Sequence, residues 1–239
     1  MNVIAARDYD DMSRRSAALV LDQLRAKPAS VFVFPTGATP LGLFRELVAA
    51  AKAGRADFSA ASFAVLDEYA GLAPGDRRSL AGWLDRELIA PIGARAGQVI
   101  TFDPLGDGKA ESGRVEAEIA RRGGIDLAIL GLGPNGHLGF NEPGTPFETR
   151  SGLVALAPAS IASNSAYWGS EADVPRTGYT LGLGTLLGAR KLGLIVSGAH
   201  KAAILKQTLA GPASIDLPAT IIHVHSDATV IADAQALAG

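Results

Sequence analysis

Apolar positions along the chain alternate between helical and continuous spacing, and that alternation predicts the architecture. Met12, Leu19, Val20 and Leu24 recur at helical spacing, with Asp8 or Asp10 placed to cap the first turn and Pro28 to end the segment. Val31-Phe32-Val33-Phe34 is a continuous apolar run, the pattern of a parallel strand buried on both faces. A Pro-Thr-Gly-Ala-Thr-Pro turn follows, and Leu41 to Ala53 reads as a helix. The same order of strand, turn and helix then recurs. Apolar runs at Phe63–Leu66, Ile125–Leu130 and Leu192–Val196 each end in a polar or Gly-rich turn. Helical stretches at Leu80–Ile92, Gly113–Arg122 and Lys201–Leu209 separate them. The expectation is an α/β fold of three layers, a mostly parallel Rossmann-like sheet with helices on both faces. Ligands of such sheets bind outside the carboxyl ends of the strands, near a switch in strand order. Residues 1–239 read as a single domain, with the loop-rich stretch 143–176 as a candidate lid.

Composition narrows the function. A chain of 239 residues, 48% hydrophobic, can bury a sizeable core. Charged residues make up 19% and the net charge is −2, so no broad basic face is available for nucleic acid or an acidic membrane. An anionic ligand must therefore be caught by local groups. The absence of cysteine excludes disulfides, thiolate metal sites and a cysteine nucleophile. The opening MNVIAARDYDDMSRRS carries acids where a signal peptide has an apolar run, and no apolar stretch approaches membrane-spanning length. A soluble cytoplasmic protein is expected.

The candidate chemistry sits at strand ends. After the run 31–34, Thr36-Gly37-Ala38-Thr39-Pro40 leads into a helix. Free N–H groups, the helix dipole and the threonine hydroxyls favour an anion there, and Gly37 lets backbone approach it closely. An ordinary connection whose threonines cap the helix fits equally well. Asp67 and Glu68 follow the run 63–66 and point to opposite sides, so one of them can face a ligand. A carboxylate at the mouth of an apolar strand can have its pKa raised by desolvation, which suits a general base; read singly, the pair fits better as two acids facing water or capping the next segment. Five glycines and two prolines between Gly131 and Gly144 specify a contorted loop carrying His137 and Glu142. A glutamate five residues from a histidine can orient it and hold its charged form. His223 and His225 stand at strand spacing, where a metal pair is conceivable, but without a third ligand they read as structural. Lys201 opens a helix against the dipole preference, which favours a role in an anion site.

Taken together, these segments are similar to the glucosamine-6-phosphate deaminase/isomerase family. The resemblance is carried by Thr36-Gly37-Ala38-Thr39-Pro40, by Leu66-Asp67-Glu68-Tyr69-Ala70-Gly71-Leu72 and by Gly136-His137-Leu138-Gly139-Phe140-Asn141-Glu142-Pro143, and it covers nearly the whole chain. The sister 6-phosphogluconolactonases resemble it in fold and phosphate loop but usually carry Asp-Glu-Arg; Tyr69 and the Phe140–Pro143 ending point to the deaminase side. The resemblance implies that Thr36, Gly37, Ala38, Thr39 and Lys201 hold a substrate phosphate. It implies that His137, oriented by Glu142 and Asn135, opens the sugar ring, and that Asp67 moves a proton between C2 and C1. It implies no metal or organic cofactor, a small phosphosugar substrate, and a monomer or small homo-oligomer. A gluconolactone or other phosphosugar substrate, or a non-catalytic phosphosugar-binding regulator, are the alternative expectations.

Departures from the family pattern are also expectations to test. Asn135 stands where many relatives carry aspartate, and it can orient a histidine without ionising. Ala166 occupies the place of an arginine that, in the family, reaches the phosphate, so either another base such as Arg150 or Arg176 substitutes or the charged end of the substrate differs. Ala38 replaces the usual Gly or Ser. Gly152 replaces a basic effector-binding residue, and the C-terminal extension of allosteric members is missing, so activation by N-acetylglucosamine 6-phosphate is not expected.

Overall fold

The computed structural model describes residues 1–239. Strand β1 (Asn2–Ala6) leads to helix α1 (Tyr9–Ala26), whose N-terminus is capped by the Asp8 carboxylate accepting from the Asp11 N–H at 2.7 Å. Then come β2 (Val31–Phe34), α2 (Leu41–Lys52), β3 (Ser62–Val65) and the short β4 (Asp67–Tyr69). Helix α3 (Leu80–Leu84) runs directly into one π-helical turn, Asp85–Ile89, so the predicted helix 80–92 is shorter and wider than a regular one. Strand β5 (Val99–Ile100), α4 (Gly108–Arg121) and β6 (Leu127–Gly131) follow.

The stretch 143–176, expected to be loop-rich, contains β7 (Gly152–Ala155) and α5 (Pro158–Trp168). After it come β8 (Thr177–Thr180), α6 (Leu183–Leu187), β9 (Lys191–Val196), α7 (Ala202–Ala210), β10 (Ala228–Asp233) and α8 (Ala234–Leu237). Pro218–His223 is a 3-10 turn, not a strand, and this removes the shared face on which His223 and His225 were placed. Each histidine instead meets a backbone carbonyl, His223 at Thr208 O (2.7 Å) and His225 at Ala189 O (2.8 Å). No helix is long and apolar enough to cross a membrane.

Seven strands form one parallel sheet in the order β1-β10-β9-β6-β2-β3-β5. Alternation along each strand divides its side chains between two cores. Phe32, Phe34, Phe63 and Ile129 pack under α1, α2 and α3, while Val33, Ala64 and Leu130 pack under α4, α6 and α7. This is the three-layer arrangement the apolar runs require, because a strand buried on both faces must be covered twice. The chain moves outward from β2 to β3 and β5, then returns to β6 on the other side of β2. Strand order therefore switches at β2, and the loops after β2 and β6 diverge to leave a crevice. A second, antiparallel sheet, β4-β8-β7, closes over one side of that crevice. The chain passes from one sheet to the other between Val65 and Asp67, and the Leu181 N–H fastens the crossing by donating to Leu66 O at 2.8 Å.

Candidate active site

A cavity of about 510 Å³ opens at the carboxyl ends of β2, β3 and β6. The loop after β2 forms one wall. The N–H groups of Thr36, Gly37, Ala38 and Thr39 donate to no acceptor in the chain, so the loop presents a row of free donors. Gly37 has φ +92, a conformation that a side chain would strain, and this explains glycine at the tip. Tyr9 holds the loop from behind. Its hydroxyl accepts from Gly42 N–H at 2.7 Å and donates to Ala38 O at 3.2 Å.

Asp67 and Glu68 point to opposite sides of β4, as strand geometry requires. Asp67 lines the cavity, and its Oδ1 is buried without a hydrogen-bond partner. Burial first, and the Glu68 charge second, raise the Asp67 carboxyl to about 7. Glu68 is fully buried and completely satisfied. It accepts from the Tyr69 N–H (2.9 Å), Ser79 Oγ (2.5 Å), and the Leu80 and Ala81 N–H groups at 3.0 Å. It thereby fixes the start of α3 beside the cavity.

The glycine-rich loop after β6 places His137 on the cavity wall. Gly133 N–H donates to His137 O at 3.0 Å, and the imidazole folds back over Gly133 so closely that a Cβ there would lie 2.3–2.5 Å from ring atoms. Glu142 and Asn135 sit behind the ring, off the wall. Asn135 Nδ2 donates to Glu142 Oε2 at 3.0 Å, and its Oδ1 accepts from the His137 N–H at 3.2 Å. Glu142 Oε2 is 3.6 Å from His137 Nδ1, an ion-pair spacing. Ser160, in the first turn of α5, completes the link by donating to Glu142 Oε1 and lying 3.1 Å from His137 Nδ1. Its single proton goes to the carboxylate, so its lone pair accepts from Nδ1–H and Nε2 is left with the free lone pair. Burial alone would raise the Glu142 carboxyl, but His137, Ser160 and Asn135 outweigh it and hold the group at about 2. Ser160 was not legible in the sequence, since it stands 18 residues beyond Glu142 with no motif of its own.

His200 and Lys201 reach the cavity from the turn after β9, and burial lowers the Lys201 pKa. The expected replacement for an arginine at position 166 is corrected by the structure. Ala166 is exposed and does not line the cavity. Arg150 pairs with Glu116 and donates to Gly184 O, while Arg176 donates to Glu171 O; neither side chain is on the wall. The arginines that line the wall are instead Arg77 and Arg78, between β4 and α3, which sequence reasoning missed. Tyr69, Phe140 and Trp168 form an aromatic floor, with Tyr69 at 5.3 Å from Phe140 and 5.1 Å from Trp168 between ring centres.

Residues 7–231 match the family described as glucosamine-6-phosphate isomerases/6-phosphogluconolactonase. The chain is 38% identical over 240 residues to a glucosamine-6-phosphate deaminase of Bacillus velezensis, with 100% of both chains covered. It is 36% identical to glucosamine-6-phosphate deaminase 2 of Bacillus subtilis, covering 99% of this chain and 96% of that one. Among solved structures it superposes on a monomeric glucosamine-6-phosphate deaminase with a TM-score of 0.96 and 33% identity, covering 100% and 99% of the two chains. A 6-phosphogluconolactonase of Leishmania guyanensis shares the fold at a TM-score of 0.74 and 18% identity.

Proposed function

Because the chain belongs to the family of glucosamine-6-phosphate isomerases and 6-phosphogluconolactonases, we propose that it converts glucosamine 6-phosphate and water into fructose 6-phosphate and ammonia. The N–H groups of Thr36–Thr39 and the Lys201 ammonium hold the phosphate. Nε2 of His137 is the acceptor for the C1 hydroxyl proton and returns it to the ring oxygen, which opens the ring to the free aldehyde. Glu142, Asn135 and Ser160 position that imidazole and compensate its charge while it carries the proton.

The aldehyde acidifies the proton on C2. Ionised Asp67 takes it, leaving an enolamine, and returns it to C1 to give an imine at C2. Water adds to that carbon and ammonia leaves. The reaction is thus an isomerisation followed by a hydrolysis, and the carbonyl of the substrate supplies the activation. Helix α5 and the chain around it, which bring Ser163, Asn164 and Tyr167 to the mouth, act as the lid that keeps bulk water from the enolamine. Phosphorylated sugars do not cross membranes unaided, which supports a cytoplasmic setting, and the site is built from one chain, which fits a monomer or small homo-oligomer.

The observation that carries this reading is the Asp67 carboxylate, buried on the cavity wall with Oδ1 unpaired. A carboxylate so placed has its acidity tuned to about 7 and an oxygen free to take a carbon-bound proton. Asp67→Asn is expected to lower kcat by about 10²–10⁴ in a coupled assay for ammonia and fructose 6-phosphate. Full turnover in that variant would refute the role of Asp67. Hydrolysis of 6-phosphogluconolactone without ammonia release would transfer the protein to the sister activity.

A further inference from the structure

We infer that Arg77 supplies the guanidinium that grips the phosphate of the substrate. The inference rests on the proposed function only in naming the anion as a sugar phosphate.

Three cationic side chains stand on the cavity wall, Arg77, Arg78 and Lys201, beside the imidazoles of His137 and His200. Arg78 is already committed. Its Nε and Nη2 donate to Asp76 at 2.9 and 2.7 Å, and its guanidinium lies 4.3 Å from the ring centre of Trp168. Arg77 pairs with no carboxylate and its guanidinium donates no hydrogen bond; the residue's one hydrogen bond is through its carbonyl, which accepts from Arg86 Nη2 at 3.1 Å. The mount of this free head is nonetheless rigid. Two residues on, Ser79 is held at 2.5 Å by buried Glu68, and one residue on, Arg78 is stacked on Trp168.

The segment also lies on the correct side. Trp83 packs against Phe44 at 6.0 Å, and Phe44 belongs to α2, whose first turn follows the threonine loop. A phosphate monoester in that loop carries close to two negative charges, against which the loop offers neutral N–H groups and Lys201 one positive charge. A second cation with planar, paired donors would complete the site, and Arg77 is the arginine lining the wall whose guanidinium donors are free. Helix α5, which carries Ala166, contributes only uncharged residues to the wall. The cation missing from α5 is therefore replaced by one from the loop before α3.

Calorimetric titration of the whole chain with inorganic phosphate tests this without relying on turnover. Arg77→Ala is expected to weaken phosphate binding at least tenfold, Arg77→Lys to weaken it less, and Arg176→Ala, off the cavity, to leave it unchanged. Arg77→Ala is also expected to raise KM for glucosamine 6-phosphate at least tenfold while kcat stays within about threefold. Phosphate binding that is unchanged in Arg77→Ala, or absent from the unaltered protein, overturns the inference. Lack of ammonia release by the unaltered protein would overturn the deaminase reading alone, since the phosphate titration still decides on Arg77.

Discussion

Asp67 and Glu68 are adjacent, both buried, and opposite in what surrounds them. Glu68 is ringed by donors and acts as a structural anion that fastens the start of α3. Asp67 has an unpaired oxygen and a carboxyl raised to about 7. Between the ordinary value of 3.8 and about 7, the native state holds a proton on Asp67 that the unfolded state has lost, so stability falls as pH rises through that window. Removing the ionisable group should therefore stabilise the protein on the alkaline side and not below pH 4. Asp67→Asn is expected to raise Tm at pH 8, by the equivalent of up to roughly 4 kcal/mol for a shift of this size. Denaturation at pH 8 and below pH 4 checks it, and equal effects at the two would disprove the linkage. Catalysis carries the opposite sign, since kcat/KM should rise with pH as the base ionises.

At the scale of elements, the loop between β6 and β7 shows how backbone geometry sets chemistry. The His137 imidazole occupies the space a Cβ on Gly133 would need, so Gly133→Ala must push the ring out of its place against Ser160. A displacement near 1 Å corresponds to about a hundredfold loss of kcat. A variant that keeps its fold by circular dichroism and loses no activity would contradict this. Four strands of the parallel sheet were legible, because strands buried on both faces print continuous apolar runs such as Val31–Phe34 and Leu192–Val196, whereas β5, with two residues, and β10, whose run is broken by Thr229 and Asp233, were not. The sheet β4-β8-β7 was not. Its strands Asp67–Tyr69, Gly152–Ala155 and Thr177–Thr180 have three or four residues each and pair across long sequence separations. Strand β1 was missed for a related reason, being an edge strand with Val3 exposed. The family pattern identified Asp67, His137 and Glu142, whereas Ser160, Arg77 and Arg78 sit in ordinary polar sequence; the fold alone brings Ser160 behind His137 and the two arginines to the cavity.

For the whole molecule, the cavity joins parts that the chain keeps far apart: the loop after β2, the crossing into the small sheet, the loop after β6, α5 and the turn after β9. A ligand touching all of these binds the native state alone and stabilises the entire structure. Fructose 6-phosphate at a hundred times its Kd should add about 2.7 kcal/mol, and for a chain of this length that raises Tm by roughly 5–10 °C. An unmoved Tm at saturation would argue against binding in the native cavity.

The stacking of Arg78 on Trp168 and the packing of Trp83 against Phe44 have one more consequence. The chain contains two tryptophans, and both stand on the cavity wall. All indole emission of the protein therefore originates at the site, one fluorophore beneath a cation that belongs to the loop carrying Arg77 and the other beside the phosphate-loop helix. Occupancy of the cavity can thus be followed optically in rapid mixing, with the native chain serving as its own unlabelled probe.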